Sequence, residues 1–143
     1  MIVYWDSSAF VPLLVKEPGS AASRRLWDVS DTPVSTRLLF VETAAALHQA
    51  HRLQRITSDQ LRSVLVELES YWDSFAVIAL DDSLMRHASD LAGMHSLRGY
   101  DAVHCAAGLS VGGDPNAVAA SDDTKLLSAW QSSGVKTFTT RPA

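Results

Sequence analysis

Two kinds of hydrophobic pattern alternate along this chain. The first is a short unbroken apolar run, the mark of a strand in a covered sheet. Ile2 to Trp5 ("IVYW") is one such run, Val34 to Thr36 in "DTPVSTR" a brief second, and "FAVIAL" (75–80) a third. "NAVAASDD" and "VKTFTT" supply a fourth and a last. The continuous run at 75–80 predicts a strand covered on both faces.

The second pattern is helical. "SSAFVPLLVKEPGS" reads as a short helix with Ser7 or Ser8 near its start, which must stop by Pro18-Gly19. Ala21 to Trp27 reads as another, and "LLFVETAAALHQAHRL" is rich in Ala and Leu with no Gly or Pro. In "TSDQLRSVLVELESYWDSF", Leu61, Val64, Leu65, Leu68, Trp72 and Phe75 recur every three or four residues. Thr57 and Gln60 stand at capping-box spacing before that stripe. Asp82 is placed to cap "SLMRHASDLAGM"; "YDAVHCAAGLS" ends at Gly112-Gly113, and "TKLLSAWQSSG" at Gly134. Strands alternating with helices imply one α/β domain over residues 1–143: a three-layer α/β/α sandwich around a mostly parallel sheet.

In sheets of this kind ligands bind beyond the carboxyl ends of the strands. Acids collect there. Asp6 closes the first strand, and Asp122 and Asp123 close the fourth. Glu42 lies one turn into the helix after the second strand, with Leu38, Leu39, Ala45 and Ala46 as its helical neighbours and no Lys or Arg on that face. Asp101 starts a helix otherwise made of Ala, Val, Cys and Leu. Singly, Asp101 reads equally as a charge favoured by the helix dipole, and Asp122 and Asp123 as turn or cap residues. Together they suggest another reading. Carboxylates gathered at one edge raise one another's pKa, and a divalent cation removes that penalty. Oxygen ligands without cysteine suit Mg²⁺ or Mn²⁺, which can activate water for hydrolysis of a phosphodiester.

Composition narrows the classes. The chain has 143 residues, 47% hydrophobic and 20% charged, as expected for a globular domain. No apolar run nears the roughly 18 residues of a membrane span. No Lys or Arg precedes Lys16 and Asp6 interrupts the first apolar stretch, so no signal peptide is expected; a cytoplasmic location is. The single cysteine, Cys105, excludes an intrachain disulfide and a multi-cysteine zinc site. A net charge of −4 argues against a constitutively basic nucleic-acid clamp, but not against an acidic metal site that meets phosphate through a cation.

Four segments, "YWDSSAFVPLLVKEPGS", "VETAAAL", "LRGYDAVHCAA" and "ASDDTKLLSA", resemble the successive motifs of PIN domains, in order and spacing over essentially the whole chain. The resemblance is to the VapC-type ribonuclease toxins of toxin–antitoxin pairs. It implies a sheet of about five parallel strands and Mg²⁺- or Mn²⁺-dependent endoribonuclease activity. It also implies a homodimer and a cognate VapB-type antitoxin that joins it in a hetero-oligomer. It carries the catalytic, metal-holding acids over to Asp6, Glu42, Asp101 and one of Asp122 or Asp123. The family pattern of Ser or Thr, any residue, then Asp, with an apolar residue three further on, favours Asp123, because Ser121 and Leu126 then fit. Ser7 and Ser121 are candidate helpers that hold a metal-bound water. Arg37 and Arg98, each close in sequence to a site acid, are candidate contacts for RNA or antitoxin, and equally plain surface ion pairs.

Other signals are weaker. His48 and His51 have zinc-like spacing but nothing nearby completes a site. His104 and Cys105 are adjacent on a helix, so their side chains diverge by about 100° and cannot act as base and nucleophile; Cys105 reads as core. Trp5, Trp27, Trp72 and Trp130 read as core or interface. A receiver-like signalling module would need paired acids after the first strand, where only Asp6 stands. A PIN scaffold that binds RNA or protein without cleaving it is the other alternative.

Overall fold

The computed structural model describes residues 1–143. Five strands, β1 (Ile2–Trp5), β2 (Thr32–Thr36), β3 (Ala76–Ile78), β4 (Ala117–Ala120) and β5 (Thr137–Phe138), form one sheet in the order β3-β2-β1-β4-β5, and every pairing is parallel. Seven helices connect them: α1 (Ser7–Phe10), α2 (Ser20–Val29), α3 (Arg37–Arg52), α4 (Ser58–Trp72), α5 (Asp82–His95), α6 (Gly99–Gly112) and α7 (Thr124–Ser132). The chain builds outward from β1 through β2 to β3, then returns to the other side of β1 for β4 and β5. The strand order therefore reverses beside β1, and such a reversal opens a crevice at the carboxyl ends.

Period-two alternation along β1 divides the core. Tyr4, Val34 and Ala119 face one side, where Leu84, Leu91, Ala106, Leu126 and Trp130 of α5, α6 and α7 cover them. Val3, Trp5 and Ala120 face the other, under Phe10, Leu26, Leu39, Leu47 and Leu68 of α1 to α4. The result is the α/β/α sandwich expected from the alternation of patterns. The capping box at Thr57 and Gln60 forms with both hydrogen bonds present, at 3.1 and 2.8 Å.

Three details depart from the sequence reading. The run at 75–80 gives only a three-residue strand, and it lies at the edge of the sheet, where Val77 keeps 37% of its surface exposed. Apolar continuity reports affinity for a covered face, not the number of neighbours a strand acquires. Asp81 rather than Asp82 caps α5, its Oδ1 accepting from the Leu84 backbone N–H at 2.9 Å; Asp82 becomes the first helical residue, where its charge suits the dipole. Pro12 divides the first helical segment into α1 and a 3-10 turn over Val11–Leu13.

Helix α6 packs directly on α7. A Cβ at Gly108 would lie 2.5 Å from the Trp130 indole nitrogen, whose own N–H is bound to the Cys105 carbonyl at 3.2 Å. Gly108→Ala should therefore cost about 1–3 kcal/mol through overpacking. Urea unfolding measures it, and an unchanged midpoint would contradict this close approach.

Candidate active site

The crevice at the carboxyl end of β1 is lined by acids from four elements. Asp6 follows β1 directly and is 5% exposed. Its backbone continues the sheet, with its N–H bound to the Ala120 carbonyl of β4 at 2.9 Å. Its side chain does not cap the short α1. Instead Oδ2 accepts from the Ser8 hydroxyl at 2.6 Å and from the Ser121 hydroxyl at 2.7 Å. These two hydroxyls lie 3.3 Å apart, and the Ser8 oxygen also accepts from the Asp122 backbone N–H at 2.8 Å. The first strand thus ends on a charge because the loops after β1 and β4 have a carboxylate to hold between them.

Glu42 projects from the second turn of α3 and meets His104, on α6, at 2.6 Å between Oε1 and Nε2. The same nitrogen lies 3.7 Å from Asp6 Oδ1. His104 Nδ1 bonds to the Tyr4 hydroxyl at 2.8 Å, and both rings are fully buried. Asp6, Glu42 and His104 each bring a polar atom within 4.8 Å of the other two, close enough for the two carboxylates to share a cation. Burial opposes charge on His104, but the hydrogen bond to Glu42 and the charges of Asp6, Glu42 and Asp101 outweigh it, so its pKa is raised.

Asp101, in the first turn of α6, and Asp123 stand outside this tight trio. Asp101 is half-buried and 3.6 Å from the exposed Arg98 side chain. Burial, then the charges of Asp123 and Asp6, raise its pKa, against a smaller lowering by Arg98. Its neighbourhood is therefore net negative. Asp123 caps α7, Oδ1 accepting from the Leu126 N–H at 2.9 Å, and its own N–H is bound to Ser121 Oγ at 3.0 Å. Asp122 turns the other way. Its Oδ1 accepts from the Thr139 hydroxyl at 2.8 Å and the Thr140 N–H at 2.7 Å, and its Oδ2 from the Thr140 hydroxyl.

Of the helper serines, Ser121 reaches Asp6, whereas the Ser7 side chain makes no hydrogen bond and Ser8 holds the carboxylate in its place. One residue further into the first turn puts the hydroxyl back over the residue that precedes the helix. Arg37 is exposed at the start of α3 and unpaired, while Arg98 pairs with Asp101. Beside the acids runs an open groove of about 890 Å³, lined among others by Glu42, Leu80, Met85, Arg98, Tyr100 and Asp101.

His104 is the site residue that the sequence reading missed. That reading weighed it only against adjacent Cys105 and set the pair aside. The useful spacing was to Asp101, three residues earlier and so on the same helix face. Cys105 is buried core, and burial pushes its thiol up to about 11. His48 is exposed, and His51 bonds to the Ser58 hydroxyl at 3.1 Å.

The family model described as PIN domain matches residues 3–129. Two proteins of Mycobacterium tuberculosis, named Ribonuclease VapC45 (strain CDC 1551 / Oshkosh) and Ribonuclease VapC49 (strain ATCC 25618 / H37Rv), are each 39% identical to this chain over 135 residues. The alignments cover 94% of this chain and 93% of each relative.

Because the carboxyl of Asp101 is raised above its ordinary value, its ionised form opposes folding. That penalty is absent below the unfolded-state pKa, near 4, and grows as pH rises through the folded-state value. In metal-free protein Asp101→Asn should melt above the parent at about pH 7 and lose that advantage by about pH 3.5. Equal melting temperatures at neutral pH would contradict the crowding.

Proposed function

This chain belongs to the PIN domain family, and from that premise we propose that it is a VapC-type endoribonuclease, the toxin of a toxin–antitoxin pair. The observation that carries the reading is the convergence of Asp6, Glu42 and His104 within 4.8 Å at the carboxyl end of β1, with Asp101 and Asp123 beside them. The 39% identity to two proteins named ribonucleases supports the choice of substrate.

Asp6, Glu42, Asp101 and Asp123 would hold Mg²⁺ or Mn²⁺; when bound, the ion polarises a phosphodiester and makes water a stronger nucleophile. The protein's own part is preparation. Ser8 and Ser121 occupy Oδ2 of Asp6, which fixes the rotamer and leaves Oδ1 turned toward Glu42 and His104. The arginines at the ends of α3 and α6 offer the cationic groups that a negative site needs to receive a phosphate backbone. Tyr100, 66% exposed in the groove beside Asp101, presents an aromatic face on which an unpaired base can stack. The acidic net charge leaves substrate choice to such local contacts rather than to general attraction.

Restraint by an antitoxin follows from the same electrostatics. A Lys or Arg side chain entering the site would replace the charge of the cation, so a VapB-type partner carrying one suits this crevice. A homodimer and a toxin–antitoxin hetero-oligomer in the cytoplasm complete the proposal. No helix is long and apolar enough to cross a membrane.

Purified protein should cleave single-stranded RNA with Mg²⁺ or Mn²⁺ and stop on addition of EDTA. Asp6→Asn and Asp101→Asn should fold, yet lose more activity than the roughly 10–100-fold that removal of an outer partner of a metal site costs. Full cleavage by either variant, followed on a labelled RNA, would retire the mechanism. Asp123→Asn should be impaired where Asp122→Asn is not; the opposite result would move the fourth ligand to Asp122. In cells, expression should arrest growth, and co-expression of the small protein encoded next to it should restore growth.

A further inference from the structure

Glu42 is held in the site by one hydrogen bond. It is a long side chain on the second turn of α3, and 28% of it is exposed. His104 Nε2 is its single hydrogen-bond partner. A carboxylate can only accept, so Nε2 carries the hydrogen in that bond, and in the neutral ring Nδ1 then accepts from the Tyr4 hydroxyl. Tyr4 lies in the middle of β1, the strand that delivers Asp6. Its phenol is fully buried, where a phenylalanine would meet the same apolar neighbours, so the hydroxyl has a partner rather than a packing reason. The imidazole ring is equally buried, between the strand that carries Asp6 and the helix that carries Asp101.

We propose that His104, anchored by Tyr4, is a positioning residue that holds the Glu42 carboxylate against Asp6 in the arrangement that captures the cation. This rests on the metal site proposed above. The pair ties α3 and α6 to β1 through one continuous line of polar contacts: Tyr4 hydroxyl to Nδ1 at 2.8 Å, then Nε2 to Glu42 at 2.6 Å. Without that line Glu42 would swing between rotamers, and ordering it would be charged against binding of the ion. The ring is fully buried and its Nε2 is taken by Glu42, so it is not itself the group that meets RNA or water.

The test is Mn²⁺ binding to metal-free protein by calorimetry, with thermal melting to establish that each variant is folded. His104→Asn keeps an amide near the Nδ1 position but cannot reach Glu42, and should weaken binding by about tenfold or more. His104→Gln returns an N–H close to the Nε2 position and should recover most of that loss. Tyr4→Phe, which keeps the core volume, should weaken binding in the same direction and decides the matter if His104→Asn does not fold. In a Glu42→Gln background the His104→Asn change should have no further effect, because the histidine acts through that carboxylate. Unchanged affinity in folded His104→Asn and Tyr4→Phe, or an undiminished loss in the Glu42→Gln background, would overturn the inference. So would directly coordinated nitrogen in pulsed electron-paramagnetic spectra of bound Mn²⁺, which would make His104 a ligand. If the parent protein itself binds no Mn²⁺, the metal site falls, and the role of His104 with it.

Discussion

Like charges resist being brought together, and this fold brings them together. Asp6 and Asp123 arrive at the ends of β1 and β4, neighbours in the sheet, while Glu42 and Asp101 descend from helices on opposite faces. The repulsion is visible in Asp101, whose carboxyl is raised by burial and by two of the other acids. Every other feature of the site can be understood as a response to that conflict. A structure that evolved for stability alone would have no reason to keep it.

The responses are of two kinds. The hydroxyls of Ser8 and Ser121 and the imidazole of His104 supply hydrogen bonds that compensate buried negative charge from within the protein. These contacts are specific in direction and use only part of each carboxylate. Glu42 and Asp101 line the groove, where a cation, and after it a phosphate, would complete the balance. Asp122 shows the contrast. Both of its oxygens are occupied by the C-terminal segment at Thr139 and Thr140, so it serves to fasten the chain end rather than to face the crevice.

Much of this was legible in the sequence because the fold is built from local patterns. The apolar run of β1 and the stripe of α4 with its capping box were visible in one-dimensional order, as were the acids at strand ends. What escaped notice depended on long-range placement. The edge position of β3 follows from sheet order, which no periodicity encodes. The substitution of Ser8 for Ser7, and of Asp81 for Asp82, turned on where a helix begins to within one residue. His104 looked idle beside Cys105, since its partners Tyr4 and Glu42 lie 100 and 62 residues away. The spacing of three to Asp101 was the one local sign that it shared the acids' face.

The central claim is that these separated carboxylates share one cation. Crystals soaked in Mn²⁺ and measured at a wavelength where manganese scatters anomalously test it with no assay of activity. The account expects a strong peak in contact with the carboxylate of Asp6 and lost in crystals of Asp6→Asn. Peaks confined to the outer surface, with the crevice beside Asp6 empty at saturating Mn²⁺, would contradict it.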